Sequence, residues 1–278
     1  MVDTIIRPSL DIVLRPADDT TVAEQSRRVG AAIATMRTET ERPLSLDELA
    51  EVAAYSRFHF VRTFRELTGT TPGAFQTALR FARASELLLT SDASVTEICG
   101  EVGYSSLGTF SDRFRSLVGV SPSGLRELPH RIAGLPSTAL DDPSMLPTDA
   151  GQTVRILIPE TGPSPHSIYV GLFPDAVASG VPVAGAMTQR PGIMALAGIP
   201  PGRYHLLAAA FPAPIDGLGH LLPGDGVWVS SSGRPLQVVA NSPPGHHSPL
   251  NHLALRPIVP TDAPILTALP ALVLARLT

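Results

Sequence analysis

The chain has 278 residues, 44% hydrophobic and 17% charged, which is enough for two cores of ordinary size and too apolar for a disordered protein. A formal net charge of −4 argues against nucleic-acid binding by bulk charge, and a single cysteine, Cys99, excludes a disulfide framework or a multi-thiolate metal site within one chain. All 21 basic residues are arginine, which rules out Schiff-base chemistry on lysine.

Residues 1–20 read as an arm without helical period, in which Thr4–Ile6 and Asp11–Leu14 are either a strand or disordered. The opening MVDTIIRPSL has no signal-peptide pattern, and no apolar run reaches the ~18 residues of a membrane span. A cytoplasmic protein with no membrane partner is the expectation. Residues 21–134 read as an all-α domain. Its leading helix, Val22–Met36, is expected to be capped by Thr21 with Glu24.

The sequence then repeats itself at a spacing of 49 to 50 residues. Ser45-Leu46-Asp47-Glu48-Leu49-Ala50 is echoed by Ser94-Val95-Thr96-Glu97-Ile98-Cys99, and Tyr55-Ser56 by Tyr104-Ser105. After one inserted residue, Phe60, Phe64, Arg65, Leu67, Gly69 and Pro72 are echoed by Phe110, Phe114, Arg115, Leu117, Gly119 and Pro122. In each copy, Ser45 with Glu48 or Ser94 with Glu97 forms a capping box. A short helix follows, Leu46–Ala54 or Val95–Val102, and a tight turn leads to a fresh cap at Ser56 or at Ser105/Ser106. A second helix, Arg57–Leu67 or Leu107–Val118, buries its phenylalanine pair and stops at Gly69 or Gly119. Short helix, turn and longer arginine-bearing helix is the helix-turn-helix layout. A helix over Gly73–Leu89, roughly 25 Å long at the standard rise, joins the copies.

On these residues the segment 27–131 resembles the AraC/XylS-type DNA-binding domain. The resemblance is carried by Leu49-Ala50, Ser56, Arg62, Phe64, Gly69, Thr71-Pro72, Arg80, Ala84 and Leu87-Leu88. In the second copy it is carried by Ile98, Gly103-Tyr104, Phe110, Phe114, Gly119 and Ser121-Pro122. It implies a transcription regulator whose two motifs enter successive major-groove segments on one face of an operator. Neighbouring segments lie ~34 Å apart, within reach of two motifs braced by one helix.

A recognition helix offers its outward, N-terminal residues to base edges. In the first copy these are Arg57, Phe58, Val61 and Arg62, with Arg65 one turn further on. Arg62 is the prime base reader, because a guanidinium bonds guanine O6 and N7 together. Phe58 and Val61 suit thymine methyls, although Phe58 also has a core-packing reading; Arg57 and Arg65 suit phosphates or a solvated face. In the second copy the outward residues are Leu107, Gly108, Thr109, Ser111 and Asp112, with Arg113 and Arg115 beside them. Asp112 stands where Arg62 stands in the first copy, a place where the resembled family commonly has a base. The second motif is therefore expected to anchor by shape and backbone contact, with an Asp112–cytosine contact as the competing reading. Two readings stay open for Arg80: a phosphate contact, or a structural pair with an acid such as Glu48. Residues 27–131 hold 13 arginines and 12 acids, so affinity must come from placed contacts.

Proline divides the chain: 6 of the 28 lie in residues 1–135 and 22 beyond. Residues 135–151 read as a Pro-rich linker and residues 152–278 as an antiparallel β-sandwich. Its expected strands are Thr153–Ile158, Ser167–Leu172, Val183–Gln189, Ile193–Leu196, Arg203–Ala210, Gly226–Ser230, Leu236–Val239 and Asn251–Arg256. The run from Ile199 to Leu206 resembles a corner of prealbumin-like or carboxypeptidase-regulatory-like sandwiches. Pro264–Leu277 reads as an apolar helical segment that packs on the sandwich or forms a dimer surface. No catalytic motif is present, and no cofactor is expected. His246, His247 and His252 form the one dense histidine run, but their spacing matches no standard zinc pattern, so a polar loop is the expectation.

The implied protein is a DNA-binding transcription regulator, not an enzyme, whose back half takes a small-molecule effector. RNA polymerase and a second copy of the chain are further partners that this role admits. The alternatives are a back half that serves as a protein-interaction or dimerisation module, or a DNA-binding module fused to an enzyme. The last, of the kind seen in suicidal DNA-repair methyl acceptors, lacks a free reactive cysteine, because Cys99 echoes the core position Ala50.

Overall fold

The computed structural model describes residues 19–133, 152–160, 166–212, 218, 221–222, 226–239 and 249–268. The expectations for residues 1–18, for the linker, for His246 and His247, and for residues 269–278 lie outside them.

Seven helices come first: α1 (Asp19–Thr38), α2 (Leu46–Val52), α3 (Arg57–Thr68), α4 (Pro72–Thr90), α5 (Val95–Glu101), α6 (Leu107–Val118) and α7 (Pro122–Ala133). Both capping boxes form: Ser45 and Ser94 accept from the amides of Glu48 and Glu97, whose carboxylates reach back to the serine amides. Ser56 and Ser106 cap α3 and α6, and Gly69 and Gly119 close them in the left-handed conformation. The expected cap at Thr21 does not form, because α1 starts at Asp19 and Thr21 lies inside its first turn. Glu24 is drawn instead to Arg27 and Arg28, each 2.6 Å away, and these bonds lower its carboxyl pKa.

The helix α4 is the common wall of two cores. Phe75 and Leu79 join Ile33, Met36, Leu49, Phe60 and Phe64 around the first motif. Phe81, Ala84 and Leu88 join Ile98, Phe110, Phe114 and Leu125 around the second. Each phenylalanine pair packs ring against ring, at 5.5 Å for Phe60–Phe64 and 5.7 Å for Phe110–Phe114. The helix α7 has no counterpart in the sequence reading, since Gly124 and Pro129 break its helical pattern. It docks through Arg126, which donates to the carbonyls of Leu88 and Ala93 beside the end of α4.

The β-rich region follows: β1 (Gln152–Ile158), β2 (His166–Phe173), β3 (Ala184–Thr188), β4 (Gly192–Ile199), β5 (Gly202–Pro212), β6 (Trp228–Ser231), β7 (Leu236–Val238), β8 (Asn251–His252) and β9 (Arg256–Pro257). One sheet has the order β4-β1-β8; the other runs β3-β2-β5-β6-β9, with β7 pairing β5. They share a core of Val154 and Ile156 from β1, Leu196 from β4, Ile168, Val170 and Leu172 from β2, and Leu206 and Ala208 from β5. Tyr204 returns its hydroxyl to Pro200 O at 3.2 Å across the β4–β5 turn.

Three expectations change here. The strand expected over Asn251–Arg256 is two short pieces in different sheets, because the chain crosses between them with Leu253 and Leu255 buried in the shared core. The pairing of β1 with β8 is parallel, not antiparallel; the long stretch of chain between them supplies the crossover that parallel pairing needs. Pro264–Ala268 is not helical. Its amides are spent on other elements: Leu266 and Thr267 donate to Ala178 O, and Ala268 to Val118 O at the end of α6.

Candidate nucleic-acid interface

The helices α3 and α6 are amphipathic for the same reason. Phe60 and Phe64, or Phe110 and Phe114, lie four residues apart and bind one face to α4's cores, so the intervening positions are left outside. On α3 the outward residues are Arg57, Phe58, Arg62 and Arg65, with Val61 half-buried. Phe58 is 89% exposed, which excludes its core-packing reading. Arg57 lies 3.7 Å from Asp47, and Arg62 lies 3.9 Å from Glu66. Both pairs are long and solvated, so they hold the arginines weakly and leave them able to swing to another acceptor. Arg65, at the far end of the helix, stands on the rim of a cavity.

On α6, Leu107, Gly108, Thr109, Asp112 and Arg113 are exposed and Ser111 is half-buried. Thr109 turns its hydroxyl back to the cap, donating to Ser106 Oγ at 3.2 Å. Asp112 and Arg113 make no ion pair among the described residues, so each helix carries a charged group at the matching position, of opposite sign.

Arg80 is withdrawn from this face. It is 8% exposed, and it donates through Nε to Val102 O and through Nη2 to Gly103 O, both at 2.8 Å. Neither earlier reading holds. Buried beneath the second turn, it cannot reach a phosphate, and Glu48 is bound by Arg42 at 2.9 Å. The carbonyls at the end of α5 have no partner within their own helix, and Arg80 supplies it. The carbonyl signal for such a role is absent from a side-chain pattern, which explains why the sequence suggested an acid. His252 is exposed on β8, and no group of three His, Cys, Asp or Glu side chains among the described residues could hold a metal ion.

Residues 49–128 match the helix-turn-helix domain family. An uncharacterised HTH-type transcriptional regulator of Haemophilus influenzae is 32% identical over 134 residues, covering 46% of this chain and 45% of the relative. The MmsAB operon regulatory protein of Pseudomonas aeruginosa is 37% identical over 92 residues, covering 33% of this chain and 30% of the relative. The RCS-specific HTH-type transcriptional activator RclR of Escherichia coli is 33% identical over 106 residues, covering 38% of this chain and 37% of the relative. The chain thus spans less than half the length of these curated relatives.

Proposed function

We infer, for a chain whose helix-turn-helix domain is of the AraC/XylS type, that it is a sequence-specific regulator of transcription that lays α3 and α6 into successive major-groove segments of one operator. The observation that carries this reading is the duplicated motif itself: two capped helices, each with an exposed outer face, on the single 19-residue brace α4. That brace is about 28 Å long, close to the spacing of neighbouring grooves.

Within this reading Arg62 contacts guanine, Phe58 and Val61 meet thymine methyls, and Arg57 and Arg113 hold phosphates. Leu107, Gly108, Thr109 and Ser111 let α6 approach the groove closely, and Asp112 makes it the weaker reader. The β-rich region is read as a sandwich that senses a small molecule, and the protein as one that works where its DNA is, in the cytoplasm. Among the described residues no helix is long and apolar enough to cross a membrane.

The test uses the full chain. A duplex is selected from a random pool, and fluorescence anisotropy compares it with a scrambled duplex of equal composition. Preferential binding to the selected duplex is expected; equal affinities would overturn the reading.

A further inference from the structure

Part of the larger sheet is apolar on both faces. One face fills the core between the sheets; the other carries Tyr169, Met187, Ala209 and Phe211. A sheet facing water on that side would alternate with polar residues. Here that side looks toward the helices, and between them lies a cavity of about 750 Å³. This is within the size range of small-molecule sites, roughly 300–1,000 Å³.

Tyr169, Met187, Ala209 and Val229 line it from the sheet, and the C-terminal ends of α3 and α6 line it from the helices. Its polar lining is unbalanced. Arg256 is already bound to Asp262 at 2.6 Å, while Glu66 lies 3.9 Å from Arg62 in a loose, solvated pair. Arg65 and Arg203 also line the cavity, and neither forms an ion pair among the described residues. An apolar floor with two exposed guanidinium groups outside any ion pair among the described residues, one of them beside His205, suits a largely apolar ligand carrying one negative charge.

The same junction holds both reading helices. The loop over residues 174–183, between β2 and β3, touches the end of each. Gly180 N donates to Leu117 O of α6, and a Cβ on Gly119 would lie 3.6 Å from Val181 Cγ2. A Cβ on Gly69, at the end of α3, would lie 3.3 Å from Ala176 Cβ. Ala176, Ala178, Val181 and Pro182 of this loop also line the cavity. Two carbonyls at the end of α6 are therefore bonded from the β-rich side, Leu117 O by Gly180 N of this loop and Val118 O by Ala268 N.

We propose that the junction cavity binds a small, largely apolar molecule carrying one anionic group, and that its occupancy is transmitted through the 174–183 loop to the ends of α3 and α6. The consequence for DNA rests on the regulator reading above; the site itself does not.

The probe is 8-anilinonaphthalene-1-sulfonate, with uncharged N-phenyl-1-naphthylamine as its comparison, each titrated by fluorescence into the full chain. Saturable binding of one molecule per chain is expected. Val229→Trp, which fills the cavity from β6, should weaken both probes at least about tenfold. Arg203→Gln should weaken the anionic probe up to about fivefold and spare the neutral one. Circular dichroism checks that each variant folds, and Ile265→Trp replaces Val229→Trp if that variant does not. Absence of saturable binding, or equal binding by the filled variant, would overturn the site.

The second arm measures anisotropy on the selected duplex with and without the sulfonate. A change in affinity of about fivefold, matched by the same change in probe affinity when duplex is present, is expected from linkage. Unchanged affinity would overturn the transmission. A chain that binds the probe at this cavity but prefers no duplex leaves the site standing and refutes the regulator reading.

Discussion

The guanidinium carbon of Arg80 lies 4.5 Å from the ring centroid of Tyr104, while its nitrogens bond the two carbonyls that precede that ring. One side chain from the brace thus fixes the turn of the second motif by stacking on its aromatic residue and capping its short helix. Burial lowers the Arg80 pKa, but its ordinary value is so high that the group stays charged. The first motif is tied differently: Arg28 of α1 stands 5.2 Å from the Tyr55 ring and donates to Ala54 O at 3.1 Å.

Arg80→Leu removes two charge-assisted bonds and leaves buried carbonyls bare, so a loss of about 2–4 kcal/mol in unfolding free energy is expected. Arg80→Lys keeps the charge but cannot fork to both carbonyls, and should lose less. Neither should change the salt dependence of duplex binding. A drop in slope of about 0.9 for a folded variant would return Arg80 to the phosphate contacts.

Ala54 and Gly103 occupy equivalent turn positions, with φ of 52° and 73°. An alanine in the left-handed region is strained, so Ala54→Gly should stabilise the protein by about 1 kcal/mol. Gly103→Ala should do the opposite, by at least ~2–3 kcal/mol, because the new Cβ would strike Glu41 O and press on Arg80 Nη2. Urea unfolding of the two variants measures both signs.

The Ser45 amide and hydroxyl, with Arg42 beside them, hold the Glu48 carboxyl down at about 2. The Ser94 amide and hydroxyl lower Glu97 in the same way. A carboxyl whose pKa is lower folded than unfolded stabilises the fold above its ordinary value of 4.5, and that contribution is lost as pH falls toward 2. The melting temperature should therefore drop across that window. A Glu48→Gln/Glu97→Gln variant should melt earlier than the parent at neutral pH and converge with it in acid. A gap that persists in acid would mean that charge is not what these caps contribute.

Arg62→Ala should cost about 1–3 kcal/mol of duplex affinity and relax preference at one or two base pairs. Asp112→Ala should leave affinity level or raise it, most visibly at low salt, and Asp112→Arg should raise it further and steepen the salt dependence. Anisotropy titrations at two salt concentrations check both. A site-specific loss for Asp112→Ala matching that for Arg62→Ala would make the second helix an equal reader through a cytosine contact.

The sequence by itself determined whatever depends on neighbours within about one helical turn or one strand pleat. Ser45, Ser94 and Ser56 announce their helices because a cap is a bond three residues long, and the phenylalanine pairs announce the buried faces because they recur at helical spacing. The same local logic located seven of the eight expected strand segments and set Arg62, Phe58 and Asp112 on the exposed faces, where they stand. Tertiary structure decided what depends on partners distant in sequence. Arg80 turned inward because carbonyls 22 and 23 residues away lacked donors, and α7 formed across Pro129 while docking Arg126 on carbonyls 38 and 33 residues away. The run after Pro249 split between two sheets because its leucines fill the space between them. The outer face of the larger sheet is apolar around Tyr169, Met187, Ala209 and Phe211, and no periodicity within β2 or β5 says which surface will cover a buried face, since hydrophobic burial has no direction of its own.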